Sequence, residues 1–196
     1  MAIISKFPVL EKRDYSYAKI PGQQGRGAVA FLLEIPGPQT KTKSKPNNEK
    51  NPTLWVLNTH LQNDVTGHAQ SSQASELRSF IASLLLLPPP PSAPESECAG
   101  VALAGDMNSP PSYLSIRRLS RYFGCSGTPP QLTFPMFGSR TRLGVVLDYW
   151  FYYSLKGTAK GGKRGVRKVE ELKVWCAGDV MASSDHWGVT MSLEII

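Results

Sequence analysis

The sequence predicts an α/β sandwich, in which helices pack against a sheet inside one domain. Three observations carry that expectation. Short apolar runs rich in β-branched and aromatic residues recur along the chain, and two segments between them repeat apolar residues at three- and four-residue spacing. With 196 residues and a 41% hydrophobic composition, the chain can bury one sizeable core and is short for two. Sixteen Pro and seventeen Gly exceed ordinary usage, but the apolar fraction is too high and the net charge of +7 too small for a disordered chain.

Residues 27–35 and 53–61 read as buried strands, being continuous apolar runs with few polar breaks. Between them, 36–52 is Pro, Lys, Thr and Asn with almost nothing to bury, which predicts a long flexible connection. Ala69, Gln73, Leu77, Phe80, Ile81 and Leu84 then recur with helical period, and the helix they predict is stopped by the prolines from Pro88 to Pro91. A flexible loop over 88–98 leads to a buried strand over 101–106. The helix after it has Ser112 as its candidate N-cap, Tyr113, Ile116, Leu119 and Phe123 on one face, and Gly124 at its close. Residues 145–153, 166–175 and 187–195 are the remaining strand candidates. All four Trp fall in or beside these runs, the ordinary place for core Trp, and no internal repeat is present.

The positive charge is uneven. Residues 41–50 carry +3 and residues 156–173 carry +5, which together exceed the whole chain's +7 by one, so the rest carries −1. Two readings are open: solvated loops built for solubility, or attraction of a phosphate-bearing substrate, a nucleic acid or an anionic lipid surface, with 156–168 as a basic loop. A nucleic-acid-binding module is disfavoured, because no aromatic stacking residues interleave with those basic side chains. Cys98, Cys125 and Cys176 are odd in number and lack C-x-x-C spacing, which argues against a disulfide framework or a zinc ribbon and suits a reducing compartment. The longest apolar run, 80–87, is too short to cross a bilayer, and residues 1–8 lack the features of a secretory signal. A soluble intracellular protein is expected.

Chemistry-bearing groups gather where the apolar strands end. Asn58-Thr59-His60, Gly105-Asp106-Met107-Asn108, Leu147-Asp148-Tyr149 and Ser183-Ser184-Asp185-His186 each deliver a polar or ionisable group there, in a chain with only three His and six Asp. Residues i and i+2 of an extended chain share a face, so Asp106 and Asn108 can address one ligand while Met107 points into the core. A carboxylate and an amide so placed suit a hard divalent cation, its water and a phosphate, although a D-x-N alone more often closes an Asx-turn. Asp185-His186 offers an acid beside a titratable base. Asp148 enters an aromatic strand and needs a partner, for which an imidazole N–H is suited.

These motifs, N-T-H-L at 58–61, G-D-M-N at 105–108, L-D-Y at 147–149 and S-D-H at 184–186, resemble in order and spacing the endonuclease/exonuclease/phosphatase superfamily, the deoxyribonuclease I-like fold. Connecting segments are similar too: the helix from Gln73 to Ile81, the T-F strand at Thr133-Phe134, and residues 2–9, which look like the family's A-I-L-S-R-F-P-I strand. The sphingomyelinase-like and small phosphodiesterase branch is nearest. The resemblance implies a four-layer α/β sandwich and metal-dependent hydrolysis of a phosphoester, usually with magnesium, or manganese in its place. It implies His186 as base or phosphate-orienting imidazole, with Asp148 accepting its other N–H. Asp106 and Asn108 would place the attacking water and a phosphate oxygen, Asp185 with Asp106 would hold the metal, and His60 would stabilise or protonate the leaving side.

The departure lies at the front. Family members place a strand with an Asn, a helix and a strand ending in a metal-binding Glu before the segment found here at 2–9. Glu11, Asp14 and Glu34 are in the wrong contexts to replace that Glu, the first two being read as part of a polar loop. The expectation is therefore a single domain over 1–196 that lacks the fold's first strands and helix, either a phosphodiesterase or a catalytically impaired relative that binds an anionic partner.

Overall fold

The computed structural model describes residues 2–19, 25–36, 51–94, 96–123, 134–135, 144–145, 147–154, 166–168, 173–175, 188–190 and 193–195. Strands β1 (Val9–Ser16), β2 (Gly27–Glu34) and β3 (Thr53–His60) are followed by helix α1 (His68–Leu85), strand β4 (Cys98–Asp106) and helix α2 (Leu114–Phe123). After these come β5 (Phe134–Pro135), β6 (Gly144–Val145), β7 (Asp148–Ser154), β8 (Val166–Lys168), β9 (Lys173–Trp175), β10 (Gly188–Thr190) and β11 (Leu193–Ile195).

Five strands form one mixed sheet in the order β1-β2-β3-β4-β7. Only β3 and β4 run parallel, and α1 makes the crossover between them. Alternation then sorts the side chains. Ala30, Leu32, Trp55, Leu57, Val101, Leu103, Tyr149 and Phe151 are buried with Leu77, Ile81 and Leu84 of α1 and Ile116, Leu119 and Phe123 of α2 in one core. Arg118 of α2 donates to the Ser71 hydroxyl of α1 at 2.8 Å, tying the two helices above it. On the other face Leu54, Ala99 and Ala102 are buried, with Val56, Trp150 and Tyr152 half-buried around them.

Several boundaries differ from the sequence expectation. Residues 2–8 form no strand, and the polar segment Val9–Ser16, expected to be a loop, is β1 with Glu11 and Asp14 inside it. Pairing with β2 satisfies its backbone, and its charged side chains suit a sheet edge that faces water. Cys98, placed in the loop over 88–98, already belongs to β4, and residues 166–168 of the expected basic loop are β8. Within the expected strands over 166–175 and 187–195 the described residues form β8 and β9, and β10 and β11, with β8 pairing antiparallel to β11 and β9 to β10. Helix α2 starts at Leu114, two residues past the candidate cap Ser112. The expected flexible connection at 37–50 lies outside the described residues.

Candidate active site

Strand register builds the site. Gly27 pairs with His60, His60 with Asp106, and Asp106 with Asp148, so one rung crosses four strands at the same end of the sheet. Residues on a rung share a face, and this rung faces away from the helices because Thr59 and Tyr149, one position off it, are buried on the helix side. The sequence-read residues His60, Asp106 and Asp148, separated by up to 88 positions in the chain, therefore converge. Asp185 and His186 lie outside the described residues.

The rung is held from beneath. The Thr59 hydroxyl donates to the Gly27 carbonyl at 2.8 Å and so accepts from the Tyr17 hydroxyl 2.6 Å away, all buried. Burial pushes the Tyr17 hydroxyl well above its ordinary pKa, which keeps it a donor. Gly105, just before Asp106, has φ +150°, and a Cβ there would strike the Thr59 carbonyl oxygen, so β3 and β4 approach at a distance that only glycine permits.

Asp106 is engaged at both oxygens. Oδ1 accepts the Asn108 backbone N–H at 2.8 Å, closing an Asx-turn, and Oδ2 lies 3.2 Å from His60 Nε2. The Asn108 side chain turns back, its Nδ2 donating to the Leu61 carbonyl at 2.9 Å, and its backbone has φ 46°. Met107 is fully buried in the core, as the alternation requires. Tyr149 anchors the same turn by donating to the Ser109 carbonyl at 2.8 Å, and burial, with the neighbouring Asp148 carboxylate, raises its pKa.

Two contributors escaped the sequence reading. Arg26, immediately before β2, places a guanidinium nitrogen 3.2 Å from His60 Nδ1; its only sequence signal is its place one residue ahead of an apolar strand. Gln70, fully buried on α1, donates to the Asp64 and Asn108 carbonyls at 2.9 and 3.0 Å, bracing the turn from the helix side. Its position three residues before Gln73 was the available sign. Beside the rung a cleft of about 370 Å³ is lined by Ala2, Ile3, Val56, Asn58, Asp148 and Trp150, among others.

Among the described residues no group of three His, Cys, Asp or Glu side chains gathers to hold a metal ion. Asp106 is nonetheless a hard, oriented oxygen donor, and magnesium commonly takes one or two protein carboxylates, with water and phosphate completing its shell. The donor chemistry fits that ion.

Comparison with solved structures identifies the architecture. The chain matches an endonuclease/exonuclease/phosphatase from Bacteroides vulgatus with a TM-score of 0.64 at 14% identity, covering 97% of this chain and 67% of that one. It matches the human Nocturnin catalytic domain, solved with a bound sulfate anion, with a TM-score of 0.59 at 15% identity, covering 97% and 60%. This chain has the endonuclease/exonuclease/phosphatase fold. Sphingomyelinase C from Streptomyces griseocarneus shares it, with a TM-score of 0.52 at 16% identity over 94% of this chain and 64% of that one. The chain thus spans roughly three fifths to two thirds of the length of these neighbours. No protein-family model and no curated protein matches the sequence. Within the described residues of this fold no helix is long and apolar enough to cross a membrane.

Proposed function

We propose that the His60–Asp106–Asp148 rung belongs to a phosphoester hydrolase, which cleaves a phosphodiester with activated water and uses magnesium, or manganese in its place. The observation that carries this reading is the register, which sets an imidazole and two carboxylates side by side on one face at one sheet end. Support comes from the fold shared with a sphingomyelinase and with a domain that binds sulfate, a tetrahedral anion like phosphate. When bound, the metal ion supplies neutralisation of phosphate charge. Asp106, with Asp185 from the S-D-H segment, would hold it.

The chain's own residues divide the remaining work. Asp106 and Asn108 orient the water and a phosphate oxygen, His186 takes the proton from that water, and Asp148 fixes the tautomer of His186 by accepting its other N–H. The leaving oxygen takes its proton from solvent, because both ring nitrogens of His60, the residue the resemblance places at that side, face Arg26 and Asp106. A lipid headgroup or a nucleic acid would be the phosphodiester, drawn by the Lys/Arg-rich segments. The reading concerns residues 1–196 as one domain of this fold.

The test is turnover of bis(4-nitrophenyl) phosphate with and without magnesium, repeated on sphingomyelin vesicles and on single-stranded nucleic acid. Asp106→Asn and His186→Ala should each lower kcat by about 10²–10⁴-fold. Undiminished turnover in either variant overturns that residue's role, and failure of all three substrates with added metal overturns the activity.

A further inference from the structure

We propose that Arg26 is a positioning residue that acts through His60, selecting the imidazole tautomer that orients Asp106. The proposal rests on the hydrolase reading for its purpose, but its geometry is independent of that reading. A guanidinium has five N–H donors, no acceptor, and stays protonated in proteins. With a guanidinium nitrogen of Arg26 3.2 Å from His60 Nδ1, a proton on Nδ1 would set two N–H groups against each other. Nδ1 is therefore the bare acceptor.

The opposite side of the ring agrees. Nε2 faces Asp106 Oδ2 at 3.2 Å, and a carboxylate only accepts, so Nε2 carries the hydrogen and donates it. Two neighbours, one just ahead of β2 and one at the end of β4, thus choose the same tautomer. Asp106 then receives the His60 N–H on Oδ2 and the Asn108 N–H on Oδ1, which fixes the plane of its carboxylate.

A role in packing alone is a poor account of Arg26. Its Nε is buried and finds no hydrogen-bond partner among the described residues, an arrangement that costs stability. A methionine would fill the same path with no orphaned N–H. Stability and positioning therefore separate in Arg26→Met: the thermal midpoint should hold or rise while the orientation of His60 is lost.

The experiment is long-range proton–nitrogen NMR on the ¹⁵N-histidine-labelled full chain, kept above the pH range in which imidazole protonates. With three histidines, His60 is assigned by the signal missing in His60→Gln. The wild type should show a protonated Nε2 and an unprotonated Nδ1 at His60. Arg26→Met should give a mixture of tautomers at His60 alone, with kcat reduced about ten- to a hundredfold and KM retained. Arg26→Lys, which keeps one donor, should restore much of the wild-type pattern. A protonated Nδ1 in the wild type overturns the proposal with no variant needed. So does an unchanged tautomer in Arg26→Met, or a fall in its midpoint with no change at His60. If the expected tautomer is found but the chain hydrolyses no phosphodiester, the hydrolase reading fails and the positioning geometry stands.

Discussion

Asp64 shows how much a single exposed side chain settles next to the candidate site. Helix α1 begins after Gly67, whose φ of 74° and missing side chain leave the helix without an N-cap group of its own. Asp64 does this work from three residues upstream: its carboxylate accepts the Ala69 N–H at 3.0 Å and also the Thr66 N–H and hydroxyl. Those bonds, the one from Ala69 first, hold its pKa below the usual carboxylate range. A lowered folded-state pKa contributes stability that is complete above the unfolded value and is lost as pH falls through the folded one. Asp64→Asn should therefore lower the melting temperature at neutral pH. The gap to wild type should close on acidification below the usual carboxylate range, as read by circular dichroism melts across pH; a gap that persists in acid would show that the carboxylate charge is not what stabilises the turn.

The elements differ in how far the sequence discloses them. Strands β2, β3 and β4 were legible because their apolar runs are buried on both faces, and α1 because Leu77, Ile81 and Leu84 keep its period. Strand β1 was not, because Leu10, Tyr15 and little else in it are apolar, and its extended form comes from hydrogen bonding to β2. Likewise His60, Asp106 and Asp148 were each visible as polar ends of apolar runs, whereas Arg26 was not, since its role arises only from the β2–β3 register, which local sequence does not encode. The apolar stripe of α1 is interrupted by Gln70 and Gln73, both buried, and these two amides carry tertiary information that periodicity alone does not show. Gln73 Oε1 accepts the Gln62 backbone N–H at 2.7 Å, fixing the chain as it leaves the candidate site. Gln73→Leu keeps the volume but orphans that buried N–H, and should destabilise the fold by about 1–3 kcal/mol in urea titration. A neutral result would mean that Gln62 finds water or another acceptor.

At the scale of the whole molecule, charge and chemistry occupy different parts of the sequence. The segments 41–50 and 156–173 carry more than the entire net charge of +7, while the rest, which holds His60, Asp106 and Asp148, carries −1. If those segments draw in an anionic substrate, they act over distances of a Debye length, about 8 Å at physiological ionic strength, and change encounter without touching the bond that breaks. Rising salt should then raise KM for an anionic phosphodiester and leave kcat alone. Replacing Lys160, Lys163, Arg164, Arg167 and Lys168 with Gln should flatten that salt dependence and leave kcat within about twofold of wild type, because steering enters the encounter rate and not the chemical step. Arg167 and Lys168 lie in β8, so a circular dichroism spectrum of the five-fold variant must first match the wild type. Equal salt dependence in both proteins would assign the basic segments to solvation, and a parallel loss of kcat would place one of these side chains at the reacting phosphate.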